Sequence, residues 1–129
     1  VSARLYDLFG TRILELLPDG TVLQTSRDVT DLIGDAIGQQ VALVLLPAAR
    51  LDDGFFDLRT GFAGEFLQKF VNYGLRLAIV GDLSYRVAAS TSLRDFVREA
   101  NRGTQVWFVT DHDDLASRLT VTLQAGRRG

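Results

Sequence analysis

Asp111-His112-Asp113-Asp114 sets the only histidine of the chain among three carboxylates. Consecutive residues of this kind cannot close on one metal ion as two histidines four apart on a helix can. An acidic first helical turn accounts for the carboxylates, since they face free N–H groups and the positive dipole end. A Ser-His-Asp hydrolase would have to use His112, yet the chain has no Gly-x-Ser-x-Gly elbow. Neither Gly-x-Gly-x-x-Gly nor a Gly-Lys-Ser/Thr phosphate loop occurs. Gly61-x-x-Gly64 is read as a close-packing spacing. No catalytic residue, metal ligand or cofactor is assigned on these grounds.

A second polar group follows the apolar run Leu75–Val80: Gly81-Asp82, then Ser84, Ser90 and Ser92. Ligands of open α/β sheets bind at the carboxyl ends of strands. Arg50, Asp52, Asp82, Asp111 and His112 are all expected on that edge, where they could converge on a small polar ligand. Asp and Ser also serve turns and caps there, and that plainer role takes precedence.

The elements that position these residues follow from periodicity. Arg12–Leu17, the turn Pro18-Asp19-Gly20 and Thr21–Gln24 predict an antiparallel hairpin, with residues 3 to 9 as a further edge strand. Ser26 opens a helix whose stripe is Val29, Leu32, Ile33, Ala36 and Ile37, closed by Gly38. Val41–Leu46 is a strand buried on both faces and ended by Pro47. Leu51–Gly54 reads as a turn. A second helix begins around Asp57 to Thr60, with Ala63, Phe66, Leu67, Phe70 and Val71 inward. Leu75–Val80 is the next strand. Ser92 to Asp95 resembles a capping box for a helix carrying Leu93, Phe96, Val97 and Ala100. Gln105–Val109 is a strand with Trp107 as a packed aromatic, and Asp111 or Asp113 caps a last helix with Leu115 and Leu119. The order predicts a single α/β domain with about four helices and a mixed, mostly parallel sheet. Residues 1–122 form this domain, and 123–129 form a tail.

The bulk numbers agree. The 129 residues are one domain's length, 47% hydrophobic and 23% charged. Fourteen basic and 16 acidic residues give a net charge of −2, which argues against nucleic acid and anionic membrane as partners. Without cysteine there is no disulfide framework, which fits a cytoplasmic location. No apolar run is long enough to span a bilayer, and Val1-Ser2-Ala3-Arg4 opens no signal-peptide core.

Phe55-Phe56-Asp57-Leu58-Arg59-Thr60-Gly61-Phe62-Ala63-Gly64-Glu65 and Gln68–Tyr73 resemble a bacterial family known as domain of unknown function 4180. Leu77–Asp82, Leu93–Gly103 and Gln105–Val109 fit the same family. It brings no activity with it. The element order is also similar to STAS domains, the sulfate-transporter and anti-sigma-antagonist modules, which carry a phosphorylatable Ser or Thr before a helix. Thr60 occupies the comparable place, although Leu58-Arg59 stands where that pattern has small polar residues. That resemblance implies a phosphorylation switch at Thr60 with Arg59 beside it. The plainer role is a helix cap.

The expected function is a non-catalytic regulatory or protein-interaction module. Its regulatory partner protein would meet Phe55, Phe56, Asp57, Arg59, Glu65 and Lys69. Phe55 and Phe56 enter as a potential exposed aromatic pair, with burial in the core as the default. Glu65 and Lys69 are an i, i+4 surface pair. A small-ligand or nucleotide sensor using Asp82 and Asp111 is the alternative, and a small hydrolase using His112 is the second. A homodimer through a sheet edge or helix face is compatible with each.

Overall fold

The structure, a computed structural model, describes residues 3–128, with side chains described through residue 122. β1 (Ala3–Leu8) and β2 (Thr11–Leu16) form an antiparallel hairpin, pairing Leu8 with Thr11 and Ala3 with Leu16. Phe9 and Gly10 make its two-residue turn at φ 52° and 80°, the left-handed pair that matches strand twist. The hairpin therefore lies one strand earlier than Pro18-Asp19-Gly20 suggested. The expected edge strand is real, and Thr21–Gln24 does not return along β2.

Arg50 is the reason. Its buried guanidinium donates to the Thr21 carbonyl (2.6 Å) and the Leu17 carbonyl (3.0 Å), and Leu23 N–H donates to the Arg50 carbonyl. The segment is drawn across to Arg50, where Leu23 makes a single parallel bridge with Leu51. A Cβ on Gly20 would overlap the guanidinium, so the turn glycine makes room for this anchor.

α1 (Ser26–Gly38) starts at a Thr25–Asp28 capping box and buries Val29, Leu32, Ile33 and Ala36, while Ile37 stays exposed. β3 is Leu43–Pro47. The expected turn at Leu51–Gly54 instead starts a short helix, α2 (Asp53–Phe56), followed by one 3-10 turn at Leu58–Thr60. α3 (Phe62–Asn72) buries Ala63, Phe66 and Phe70, while Val71 is exposed. β4 is Arg76–Val80. α4 (Ser84–Ala89), not expected from periodicity, precedes α5 (Thr91–Arg102). Ser90 caps α5 by accepting Leu93 N–H, so Ser92 is inside the helix rather than its cap. β5 is Val106–Val109, and α6 (His112–Arg128) carries helical backbone through residues 123–128, the stretch read as a tail.

The sheet order is β1-β2-β3-β4-β5, with β2 to β5 parallel and the hairpin antiparallel. This is the mixed, mostly parallel sheet that the alternation predicts. The strands succeed one another across the sheet, so right-handed crossovers put α1, α3 and α5 on one face. Leu14, Leu16, Val44, Leu46, Leu77, Ile79, Val106 and Phe108 meet those helices. The alternate residues Ile13, Leu43, Leu45, Ala78, Trp107 and Val109 meet Leu115 and Leu119 of α6 on the other face. Both faces are covered, as the continuous apolar strands require.

Candidate functional site

The carboxyl ends of β3, β4 and β5 open into two grooves that share Gly81, Asp82 and Leu83. One, about 370 Å³, lies toward Pro47, Ala48, Tyr85 and Arg86. The other, about 310 Å³, lies toward Ser84, Asn101, Thr110, Asp114 and Arg118. Gly81 sits between them at φ 156°, and a Cβ there would stand 2.9 Å from the Ala48 Cβ. Glycine lets the loop run hard against Ala48 at the β3 end.

Few of the polar residues expected on this edge converge. Asp82 lines both grooves, exposed, and accepts Ser84 N–H at 2.9 Å. The Ser84 hydroxyl and N–H hold its carboxyl below the ordinary value. Asp111 instead caps α6 by accepting Asp114 N–H at 2.8 Å. Asp52 caps α2 through Phe55 N–H and accepts the Gln24 amide. Arg50 is turned into the fold. His112 points away from the cleft, onto the α6 face of the sheet.

The Phe55–Lys69 region is likewise rearranged. Phe55 is fully buried and Phe56 nearly so, packed edge-on to each other at 5.1 Å, so they are core and not a surface pair. In the four-residue α2 both rings are roofed, Phe55 by Phe62 and Phe66, Phe56 by the Arg86 guanidinium at 4.2 Å. The Thr60 hydroxyl lies 2.9 Å from the Gly54 and Asp57 carbonyls and accepts Phe62 N–H, while Gly61 is the N-cap of α3. Arg59 grips Asp57 through two bonds of 3.0 Å, which holds that carboxyl below its ordinary value. Glu65 meets Ser26 of α1 and stands 4.0 Å from Lys69.

A polar cluster that the sequence reading missed lies on the α6 face. Glu15, only 6% exposed, accepts from Tyr6 Oη at 2.7 Å and Arg4 Nη2 at 3.2 Å. His112 Nε2 lies 2.8 Å from its other oxygen. The signal was a charge inside an otherwise apolar strand, Ile13-Leu14-Glu15-Leu16. Burial alone would raise the Glu15 carboxyl, but hydrogen bonds from Tyr6 and His112, the His112 charge and Arg4 outweigh it and leave it lowered. Burial and the Glu15 carboxylate push the Tyr6 hydroxyl well up. A carboxylate beside an imidazole makes two of the three members of a hydrolytic triad. The hydroxyl here is Tyr6, and it donates to Glu15 instead of meeting His112.

A lowered carboxyl in the fold means that the unfolded chain binds more protons in acid, so stability is present above the unfolded value and lost as pH falls through the folded one. Urea midpoints at about pH 6 and about pH 3 should therefore differ, and the difference should shrink in Glu15→Gln. An equal difference in both proteins would remove Glu15 from the account.

Among the described residues, no group of three or more His, Cys, Asp and Glu side chains gathers at metal-holding distance. No helix among them is long and apolar enough to cross a membrane.

Fold and site define a small α/β domain whose parallel strands follow in chain order, with its polar grooves at their carboxyl ends. By sequence the chain belongs to the family described as domain of unknown function DUF4180, matched over residues 9–119. No curated protein and no solved structure matches it.

Proposed function

We propose that the chain is a non-catalytic binding domain that takes a small polar ligand in the double groove around Gly81-Asp82-Leu83. The carrying observation is the cleft itself, where Gly81 packs against Ala48 too closely for an unshifted Cβ and exposed Asp82, Ser84 and Thr110 flank the loop. Asp82, Arg86, Asp114 and Arg118 all line it, Arg86 pairing outward with Asp53 at 3.0 Å and Arg118 with Asp114 at 3.4 Å. Such a lining suits a ligand with both donors and acceptors, and strand ends are where such sheets bind.

The test is a thermal-shift screen of nucleotides, amino acids, dicarboxylates and sugars on the parent chain and on Ser84→Trp, which fills the groove from an exposed position. A ligand should raise the midpoint of the parent and lose at least ten-fold in affinity with the variant, about 1.4 kcal/mol or more. Hits indifferent to Ser84→Trp would count against this site.

A second reading, a regulatory protein-interaction module similar to STAS domains, is favoured by the outer face of α3. Glu65, Gln68 and Val71 are exposed along the helix and Tyr73 at its C-cap, and α3 packs beside α1 with its exposed Ile37. The partner surface on this reading moves from Phe55 and Phe56 to that helix face. Thr60 carries less of it, because a phosphate would replace a hydroxyl that donates to carbonyl oxygen.

A further inference from the structure

The two edges of the sheet are built differently. On β5, Asn101 behaves as a substitute strand: its amide oxygen accepts Phe108 N–H at 2.7 Å and its amide nitrogen donates to the Phe108 carbonyl at 3.1 Å. Asp114 accepts the next outward N–H, that of Thr110, at 3.0 Å. Side chains therefore occupy that edge at Phe108 and Thr110.

β1 is the opposite edge. The Arg12 carbonyl accepts Ala42 N–H from the β3 side, so Thr11, Ile13 and Glu15 turn their backbone groups toward β1. Their partners Leu8, Tyr6 and Arg4 turn inward, as the residues flanking a two-residue turn must. Ala3, Leu5 and Asp7 are left with N–H and C=O pointing outward, and among the described residues no hydrogen bond reaches them from outside the hairpin. Leu5 is 39% exposed at the middle of this row.

We propose that β1 pairs antiparallel with β1 of a second copy of this chain, with Leu5 on the two-fold axis. Such a pair keeps the sheet faces in common, so the two-fold must pass through a residue rather than between residues. The side chains then select the register. An axis at Arg4 sets Arg4 against its copy, and an axis at Asp7 sets Asp7 against its copy; like charges directly opposite repel. An axis at Tyr6 sets Leu5 against Asp7. An axis at Leu5 sets Leu5 against Leu5, Ala3 against Asp7, and each Arg4 guanidinium against the Tyr6 ring of the other copy, a cation–π partnership that Arg4 already makes within its own strand at 5.3 Å. It also aligns all three outward residues as hydrogen-bonded pairs. One short strand falls below the roughly 1,000 Å² of a stable interface, so the dimer is weak and concentration-dependent.

The chain has no cysteine, so single cysteines read the register directly. Arg4→Cys, Leu5→Cys, Tyr6→Cys and Asp7→Cys would each be oxidised mildly at high chain concentration, and the disulfide dimer quantified. Paired Cα atoms at an axis lie about 5.5 Å apart, within disulfide reach, while other positions are offset. Leu5→Cys should cross-link at least five-fold more than the other three. Sedimentation of the cysteine-free chain should show dimer at millimolar concentration, and Leu5→Lys should remain folded and monomeric. A maximum at another position, equal cross-linking at all four, or a parent that stays monomeric would each overturn the proposal.

Discussion

Phe66→Ala should lower the unfolding free energy by about 3–5 kcal/mol, the usual cost of removing a buried aromatic ring. Phe66 is fully buried and touches three other rings, Phe55 and Phe62 edge-on and Phe70 stacked at 5.6 Å. It joins α3 to α2 within the buried cluster that also holds the helix-facing strand residues, so the cavity would open inside that cluster. A domain of this size holds only about 5–15 kcal/mol in total. The urea midpoint should fall by roughly 2 M with little change in slope. Phe66→Leu should recover a good part of the loss. A shift within that of a surface substitution would mean that the ring cluster is not the keystone of the helix layer.

The second large effect belongs to Arg50. Arg50→Ala removes the donors to the Leu17 and Thr21 carbonyls and leaves an empty space beside Gly20. Both are hydrogen bonds from a charged group to part-buried segments, and losing them costs about 1.5–3 kcal/mol each at most. Arg50→Lys should rescue little, because one ammonium cannot reproduce the planar fork that meets both oxygens. Amide exchange should rise first at Leu23, whose N–H donates to the Arg50 carbonyl, ahead of the strands. Uniform acceleration across the chain would show instead that Arg50 acts on global stability alone.

How far the sequence could be read depended on the range of each interaction. α1 was legible because five apolar residues repeat at helical spacing behind the polar opening Ser26-Arg27-Asp28, while its cap, Thr25, stands one residue earlier. β3 and β5 were legible because they are apolar without alternation, and β4 because Arg76 alone breaks its apolar run. The hairpin was misplaced because Pro18-Asp19-Gly20 is a louder turn signal than Phe9-Gly10, where a bulky residue takes a positive φ. Nothing local says that Arg50, 29 residues beyond Thr21, collects that loop. Asp82 was expected in the strand-end cleft and lines it. Asp111 and Asp52 were expected there too, but helix starts claimed them through local backbone bonds. Glu15 and His112, 97 residues apart, meet only because α6 crosses the sheet face that β2 shares. Its first hint, one carboxylate in an apolar run, names no partner.

The most direct test of the binding proposal is a backbone-amide NMR titration of the chain with the strongest ligand from the thermal-shift screen, repeated on Asp82→Asn. Shift changes should concentrate at Gly81, Asp82, Leu83, Ser84 and Thr110 and weaken in the variant. Changes centred instead on the exposed face of α3, on Glu65, Gln68 and Tyr73, would contradict the cleft and move the function to that helix.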